Sequence, residues 1–116
     1  MRRIQKYKKG YEIFYCCFDD TAKTDVYNNG LYCDVPISER PQLIGYAIFT
    51  KSADKKTFYS VDTHVDPAYQ RQKVATNLYN EAAKEITIVP SRHLTKDGFK
   101  FWEYRKYIHD ISNLIP

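Results

Sequence analysis

Short apolar stretches recur along the chain and are separated by polar or turn-forming residues. Most are rich in aromatic and β-branched side chains, which favour pleated strands. Asn28-Asn29-Gly30 is a strong turn signal between two of them. The pattern predicts five strands, at residues 11–18, 31–37, 43–50, 57–65 and 86–89.

The hydrophobic period changes after the fourth predicted strand. Val74, Leu78 and Ala82 recur at four-residue steps, which is typical of one face of an amphipathic helix. A second helix is predicted to begin at Thr95, a good N-cap residue. The order of elements predicts an α+β fold in which helices pack on a mixed, mostly antiparallel sheet. A chain of 116 residues is expected to form a single domain over residues 1–116.

Composition limits the classes of function. The chain carries 18 basic and 14 acidic residues, and a net charge of +4 is too small to predict nucleic-acid binding. Three cysteines without a CxxC pair, and no histidine at ligand spacing, predict no metal site. Cys16 and Cys17 lie within an apolar run, where cysteine behaves as a small hydrophobic residue, and a reducing compartment fits best. With no signal-peptide pattern after the basic residues 1–10 and no long apolar run, we expect a cytoplasmic protein without a membrane span.

The connection between the fourth strand and the helix is polar and basic. It reads Tyr69-Gln70-Arg71-Gln72-Lys73, directly before the helix that begins at Val74. The first turn of a helix has free N–H groups and a partial positive charge, so it suits a phosphate. Arg71 and Lys73 add two cations, and Ala75 leaves room for a diphosphate near the backbone. The alternative is a solvated loop that binds nothing.

This stretch resembles the acyl-CoA-binding motif of the GCN5-related N-acetyltransferase (GNAT) superfamily. Residues 65–69 (VDPAY) and 70–75 (QRQKVA) follow the order of that motif, and residues 43–104 are similar to the family overall. The resemblance implies an acyl-CoA N-acyltransferase-like fold, acetyl-CoA as co-substrate, and transfer of an acetyl group to a primary amine of a protein or small molecule. The implied cofactor-binding residues are Val65, Gln70, Arg71, Gln72, Lys73, Val74, Ala75 and Thr76. The backbone of Val65 would meet the pantetheine arm.

The chain departs from the family pattern in two respects. Lys73 stands where the family usually has a glycine, which puts a positive φ at that position in question. The chain is also short, so the two helices after the family's first strand and the C-terminal strand pair are expected to be trimmed. Small phage-encoded members are similar in this respect, and such a protein would act in the cytoplasm of a bacterial host.

The resemblance also indicates where catalysis would occur. Asp62 and His64 on the fourth strand are candidate bases, with Tyr59 expected on the alternate face. A bulge is expected near Val65. Trp102 falls at the position of the tyrosine that serves the family as general acid. Either Tyr104 is recruited as the acid, or water protonates the leaving thiolate, or the activity is weak or lost.

A non-catalytic binding module is the competing class. Trp102 and Lys73 at these two positions would also suit a GNAT-fold domain that recognises a protein or nucleic-acid partner. The acceptor amine and the oligomeric state, including a homodimer, stay open.

Overall fold

The computed structural model describes residues 2–89. These residues form one five-stranded sheet with the strand order β1-β2-β3-β4-β5. The first four strands are antiparallel neighbours, and β5 pairs parallel with β4 after a crossover through the helix α1. The elements are β1 (Arg2–Lys9), β2 (Glu12–Asp19), β3 (Leu43–Lys51), β4 (Thr57–Val65), α1 (Val74–Ala83) and β5 (Thr87–Val89). The predicted α+β class with a mixed, mostly antiparallel sheet is confirmed.

Both faces of the sheet are covered, by different kinds of structure. The helix α1 packs on one face through Val74, Leu78, Tyr79 and Ala82. The connection from β2 to β3 covers the other face with the 3₁₀ helix Val26–Asn29 and the extended residues 31–35. The second 3₁₀ helix of this connection, Ile37–Gln42, contributes no buried residue. The central strands β2 and β3 are therefore buried on both sides, which explains their nearly continuous apolar sequences.

Most of the predicted elements are confirmed, with β4 at the predicted bounds. The strand predicted at residues 31–37 is wrong. This segment alternates between buried and exposed residues, with Leu31, Cys33 and Val35 buried, but it pairs with no strand among residues 2–89. Its apolar side chains instead pack against the face of the sheet opposite α1. An alternation of apolar and polar residues therefore does not require strand pairing, because packing on one side of an extended segment gives the same pattern.

The first strand, β1, was not predicted. Five of its eight residues are basic, and none is fully buried. It forms because its backbone pairs with the apolar strand β2 along its whole length. Lysines on such a strand also discourage pairing with other chains at the sheet edge.

Several expectations lie outside the described residues. These are the helix beginning at Thr95, the trimmed C-terminus and the extent of the single domain. Between residues 2 and 89, no helix has the length and apolar character needed to cross a membrane.

Gly45 on β3 controls how closely α1 approaches the sheet. A Cβ added there would lie 2.9 Å from Val74 Cγ1 and 3.1 Å from the carbonyl oxygen of His64. We expect Gly45→Ala to lower the free energy of unfolding by about 1–3 kcal/mol, the usual cost of overpacking, in a urea titration. Adding Val74→Ala should recover part of that loss because it removes the nearer atom. Independent, additive effects of the two substitutions would contradict this packing.

Candidate functional site

The chain turns sharply where β4 ends. The amide of Asp66 donates to the carbonyl of Ile44 at 2.8 Å, which keeps the chain against β3 for one residue more. The Asp66 carboxylate then accepts from the amide of Ala68 at 3.0 Å and starts the 3₁₀ turn Pro67–Tyr69. Val65 and the start of α1 are thereby brought to opposite sides of one short loop.

Two residues in this loop adopt the left-handed conformation. Arg71 has φ 65° and Lys73 has φ 63°. The positive φ that the sequence put in question is therefore present at Lys73, although the residue is not glycine. Such a conformation costs a non-glycine residue about 1–2 kcal/mol, so the surrounding loop holds it in place.

No side chain in the described part of the chain, residues 2–89, caps the N-terminus of α1. Lys73 occupies the N-cap position without a side-chain hydrogen bond, and the first helical bond runs from the amide of Asn77 to the carbonyl of Lys73. The amides of Val74, Ala75 and Thr76 precede that bond and point out of the helix end. They form a cluster of donors at the positive end of the helix dipole.

Arg71 and Lys73 lie beside these donors. Both side chains are exposed, and neither forms a salt bridge with any residue between 2 and 89. The other cations close to the helix are paired, Lys6 with Glu85 and Lys84 with Glu81. The helix start therefore carries two positive charges that are available to an anionic ligand.

A cavity of about 300 Å³ opens at this point. Its lining residues are Val65, Tyr69, Gln70, Arg71, Lys73, Val74, Ala75 and Thr76. Every residue of the predicted cofactor-binding group except Gln72 lines it, and Tyr69 is an addition. The structure thus brings seven of the eight predicted cofactor-binding residues together around one cavity.

Gln72 has a different position. Its side-chain oxygen accepts from the guanidinium of Arg2, and its amide donates to the carbonyl of Ala68 at 3.3 Å. The same guanidinium lies 5.6 Å from the ring centre of Tyr69 and 3.7 Å from the Asp19 carboxylate. Arg2 on β1 therefore holds the loop in place through its contacts with Gln72 and Tyr69. Arg2 and Gln72 are 70 positions apart in the sequence, so this contact is not part of the local motif.

If the cavity binds CoA, as the family resemblance implies, Arg2→Ala should weaken that binding by about two- to five-fold, because exposed contacts of this kind contribute about 0.5–1 kcal/mol. Isothermal titration would measure the change. Arg3→Ala is the matched control, since Arg3 pairs with Glu39 and packs over Phe18 on the other face of the sheet. Equal losses of CoA affinity in the two variants would show that Arg2 has no specific role in positioning the loop.

The strands β4 and β5 are paired over only part of β4. Their register joins Thr57 to Thr87 and Tyr59 to Val89, and β4 then continues for six residues, to Val65. In the described part of the chain, this stretch of β4 has a neighbour only on its β3 side. The carbonyl of Val65 accepts from the side-chain amide of Gln70 at 3.2 Å, so a ligand that used this carbonyl would displace that amide.

A bulge in β4 determines which side chains share a face. Ile48 pairs with Asp62 and Phe49 with Ser60, so Val61 is the additional residue. The bulge predicted near Val65 therefore lies at Val61. As a consequence Tyr59 shares its face with Asp62 and His64, and its expected place on the alternate face is wrong.

Asp62 and His64 lie on the face opposite α1. Asp62 is exposed and accepts from the hydroxyl of Tyr46 at 3.3 Å, and His64 is half-buried with its ring 5.9 Å from that of Tyr46. Burial, with the charge of Asp62 as the second cause, raises the pKa of Tyr46 to about 12. Near physiological pH Tyr46 is therefore neutral, and its hydroxyl donates the hydrogen bond that positions the Asp62 carboxylate.

The segment at residues 31–36 borders this polar surface. Tyr32 donates to Glu12 at 2.6 Å, and Thr50 donates to the other oxygen of that carboxylate at 3.1 Å. The pKa of Tyr32 is raised to about 12, first by burial and then by Glu12, with a smaller contribution from Asp62. Tyr32 packs against the ring of Phe14, and the register pairs Phe14 with Ile48 and Ile48 with Asp62, so Tyr32 and Asp62 lie on the same face of the sheet. Trp102 and Tyr104 lie outside the described residues, so Tyr104 as the acid stays a prediction.

Comparison with known protein families identifies the family of this chain. The model of the acetyltransferase (GNAT) family matches residues 5–87, which is most of the chain. The protein belongs to the GNAT acetyltransferase family. Searches of curated proteins and of solved structures gave no significant match.

Proposed function

We propose that the protein is an acetyl-CoA-dependent N-acetyltransferase that acts on a primary amine of a protein or small molecule. One observation carries the proposal. The cavity at the start of α1 combines helix amides with two cations, none of them bound by a side chain of residues 2–89, inside the segment that matches the GNAT family. Helix amides and flanking cations are the groups that bind phosphates most readily.

The diphosphate of acetyl-CoA would lie against the amides of Val74, Ala75 and Thr76. Arg71 and Lys73 would neutralise its charge from either side of the left-handed turn. Gln70 lines the same cavity, and Gln72 would act by holding the loop against Arg2. The half-buried Ala75 leaves the backbone accessible at the helix start.

The pantetheine arm would run along β4 beyond its last pair with β5, past Val65. This course would bring the thioester to the edge of the sheet beside the central part of β4. The acceptor amine would approach from the face that carries Asp62 and His64, and it would attack the thioester carbonyl directly. It must be neutral to do so, and Asp62 or His64, directly or through a water molecule, would accept its proton.

Binding and turnover can be separated experimentally. At 100 times its dissociation constant, acetyl-CoA should stabilise the fold by about 2.7 kcal/mol, or about 11 °C in the melting temperature. Release of free CoA thiol in the presence of an amine panel would then measure transfer. No thermal shift with acetyl-CoA or CoA would contradict the proposal.

Binding without turnover on any amine would favour the second candidate function. The domain would then be a GNAT-fold module that binds CoA and recognises a partner without catalysis.

A further inference from the structure

Cys16 and Cys33 lie together in the apolar layer opposite α1. Their sulfur atoms are 4.0 Å apart, although the residues are 17 positions apart in the sequence. Cys16 belongs to β2, and Cys33 belongs to the extended segment at residues 31–36. We propose that this pair is an oxidation site, which closes to a reversible disulfide when the protein meets a peroxide.

The geometry needs only a small movement. A disulfide requires its sulfurs to be about 2 Å apart, so the two atoms must approach each other by about 2 Å. Cys33 lies in a segment that is not part of the sheet. Its backbone carbonyl is held by the hydroxyl of Tyr27 and the amide of Val35, both at 2.9 Å. A shift of this segment breaks no pairing between strands.

Cys17 provides a natural comparison within the same strand. It is equally buried, but it points to the opposite face of the sheet and packs with the core beneath α1. Neighbouring residues in a strand face opposite sides, so Cys17 cannot reach Cys33. Among the described cysteines, the structure thus selects one pair.

The environment distinguishes the two thiols. The contact between the two sulfurs and burial raise the pKa of Cys16, while the same contact lowers the pKa of Cys33. Cys33 also lies on the segment outside the sheet, which can open to admit the peroxide, whereas Cys16 is held in β2, so Cys33 is assigned as the nucleophile. Its thiolate attacks hydrogen peroxide to give a sulfenic acid and hydroxide. The sulfur of Cys16 then displaces the hydroxyl as water and forms the S–S bond, with its proton passing to the solvent or the leaving group.

Both thiols are buried, so the peroxide reaches them when the covering segment opens. The disulfide would then fix that segment to β2. Tyr32 precedes Cys33 and lies on the sheet face that carries Asp62, so the cross-link would change the acceptor side of the proposed site. That consequence rests on the proposed function, whereas the cross-link itself does not.

The test is oxidation of the full chain with hydrogen peroxide, followed by denaturation, alkylation and mass spectrometry. The wild type should lose two hydrogens and keep one alkylatable thiol of its three cysteines. A digest should contain one peptide joining Cys16 to Cys33, which dithiothreitol separates. The melting temperature of the oxidised form should rise by about 5–10 °C, because the cross-link restricts the unfolded chain.

Two variants complete the experiment. Cys17→Ala should form the cross-link normally, and Cys33→Ser should not form it. The inference would be overturned if the wild type and Cys17→Ala only gained oxygen atoms, or cross-linked between chains, or joined Cys17. This result needs no acetyltransferase assay. A cross-link that forms while acetyl-CoA fails to bind would refute the proposed function alone.

Discussion

Replacing Arg71 and Lys73 together by glutamate is expected to weaken CoA binding by at least about 100-fold, or ~2.8 kcal/mol. The two substitutions turn two attractive charges into two repulsive ones beside the helix amides of Val74 and Ala75. The original side chains are exposed and form no ion pair among residues 2–89, so their loss should leave the fold intact. Isothermal titration gives the affinity, and far-UV circular dichroism checks the fold.

A matched control separates site-specific charge from overall charge. Lys23→Glu with Lys56→Glu makes the same change in net charge at exposed positions away from α1, and it should reduce affinity only slightly. A further variant, Lys73→Gly, separates charge from backbone shape. Glycine accepts φ 63° without strain, so this variant should keep or gain stability, by up to about 1 kcal/mol, and lose some CoA affinity. Unchanged CoA affinity in a folded Arg71/Lys73 double variant would remove the phosphate-site assignment.

Asp62→Asn is expected to lower the rate of acetyl transfer by about 10²–10⁴-fold if its carboxylate is the base. Affinity for acetyl-CoA should be nearly unchanged, because Asp62 lies on the sheet face opposite α1. Tyr46→Phe should produce a smaller loss of rate, since it removes only the hydroxyl that fixes the carboxylate. Steady-state kinetics at saturating acetyl-CoA would measure both effects.

Asp20→Asn is the control for Asp62→Asn, since it changes an exposed carboxylate just beyond the end of β2. His64→Gln tests the other candidate base in the same assay. A large loss in His64→Gln and none in Asp62→Asn would assign the role to the histidine. Normal rates in both variants would leave proximity and solvent as the source of catalysis.

The elements that the sequence predicted correctly carry their information locally. Residues 43–50 and 57–65 are dense in strand-forming side chains, and α1 repeats its apolar residues every four positions. Residues 31–37 show why such patterns are insufficient. Their alternation reflects burial on one side, which a strand and an unpaired extended segment share. The basic strand β1 carries almost no apolar signal and depends on its neighbour β2.

In the candidate site, too, residues that are neighbours in the sequence were predictable, whereas residues brought together by folding were not. The residues from Val65 to Thr76 could be predicted together because they are continuous in sequence and follow a known order. Arg2, Tyr32 and Tyr46 could not, because they reach the site only through sheet pairing and the packing of residues 31–36. The left-handed conformation of Lys73 could not be predicted from the sequence either, because lysine, unlike glycine, has no preference for a positive φ.

A titration of the ¹⁵N-labelled protein with CoA, followed by amide chemical shifts, tests the central claim most directly. If the cavity at the start of α1 binds the diphosphate, the largest shifts will fall on Arg71, Lys73, Val74, Ala75 and Thr76. Phosphopantetheine, which lacks the diphosphate, should shift these amides less at equal occupancy. Saturable shifts centred elsewhere, with the amides of residues 71–76 unmoved, would contradict the account.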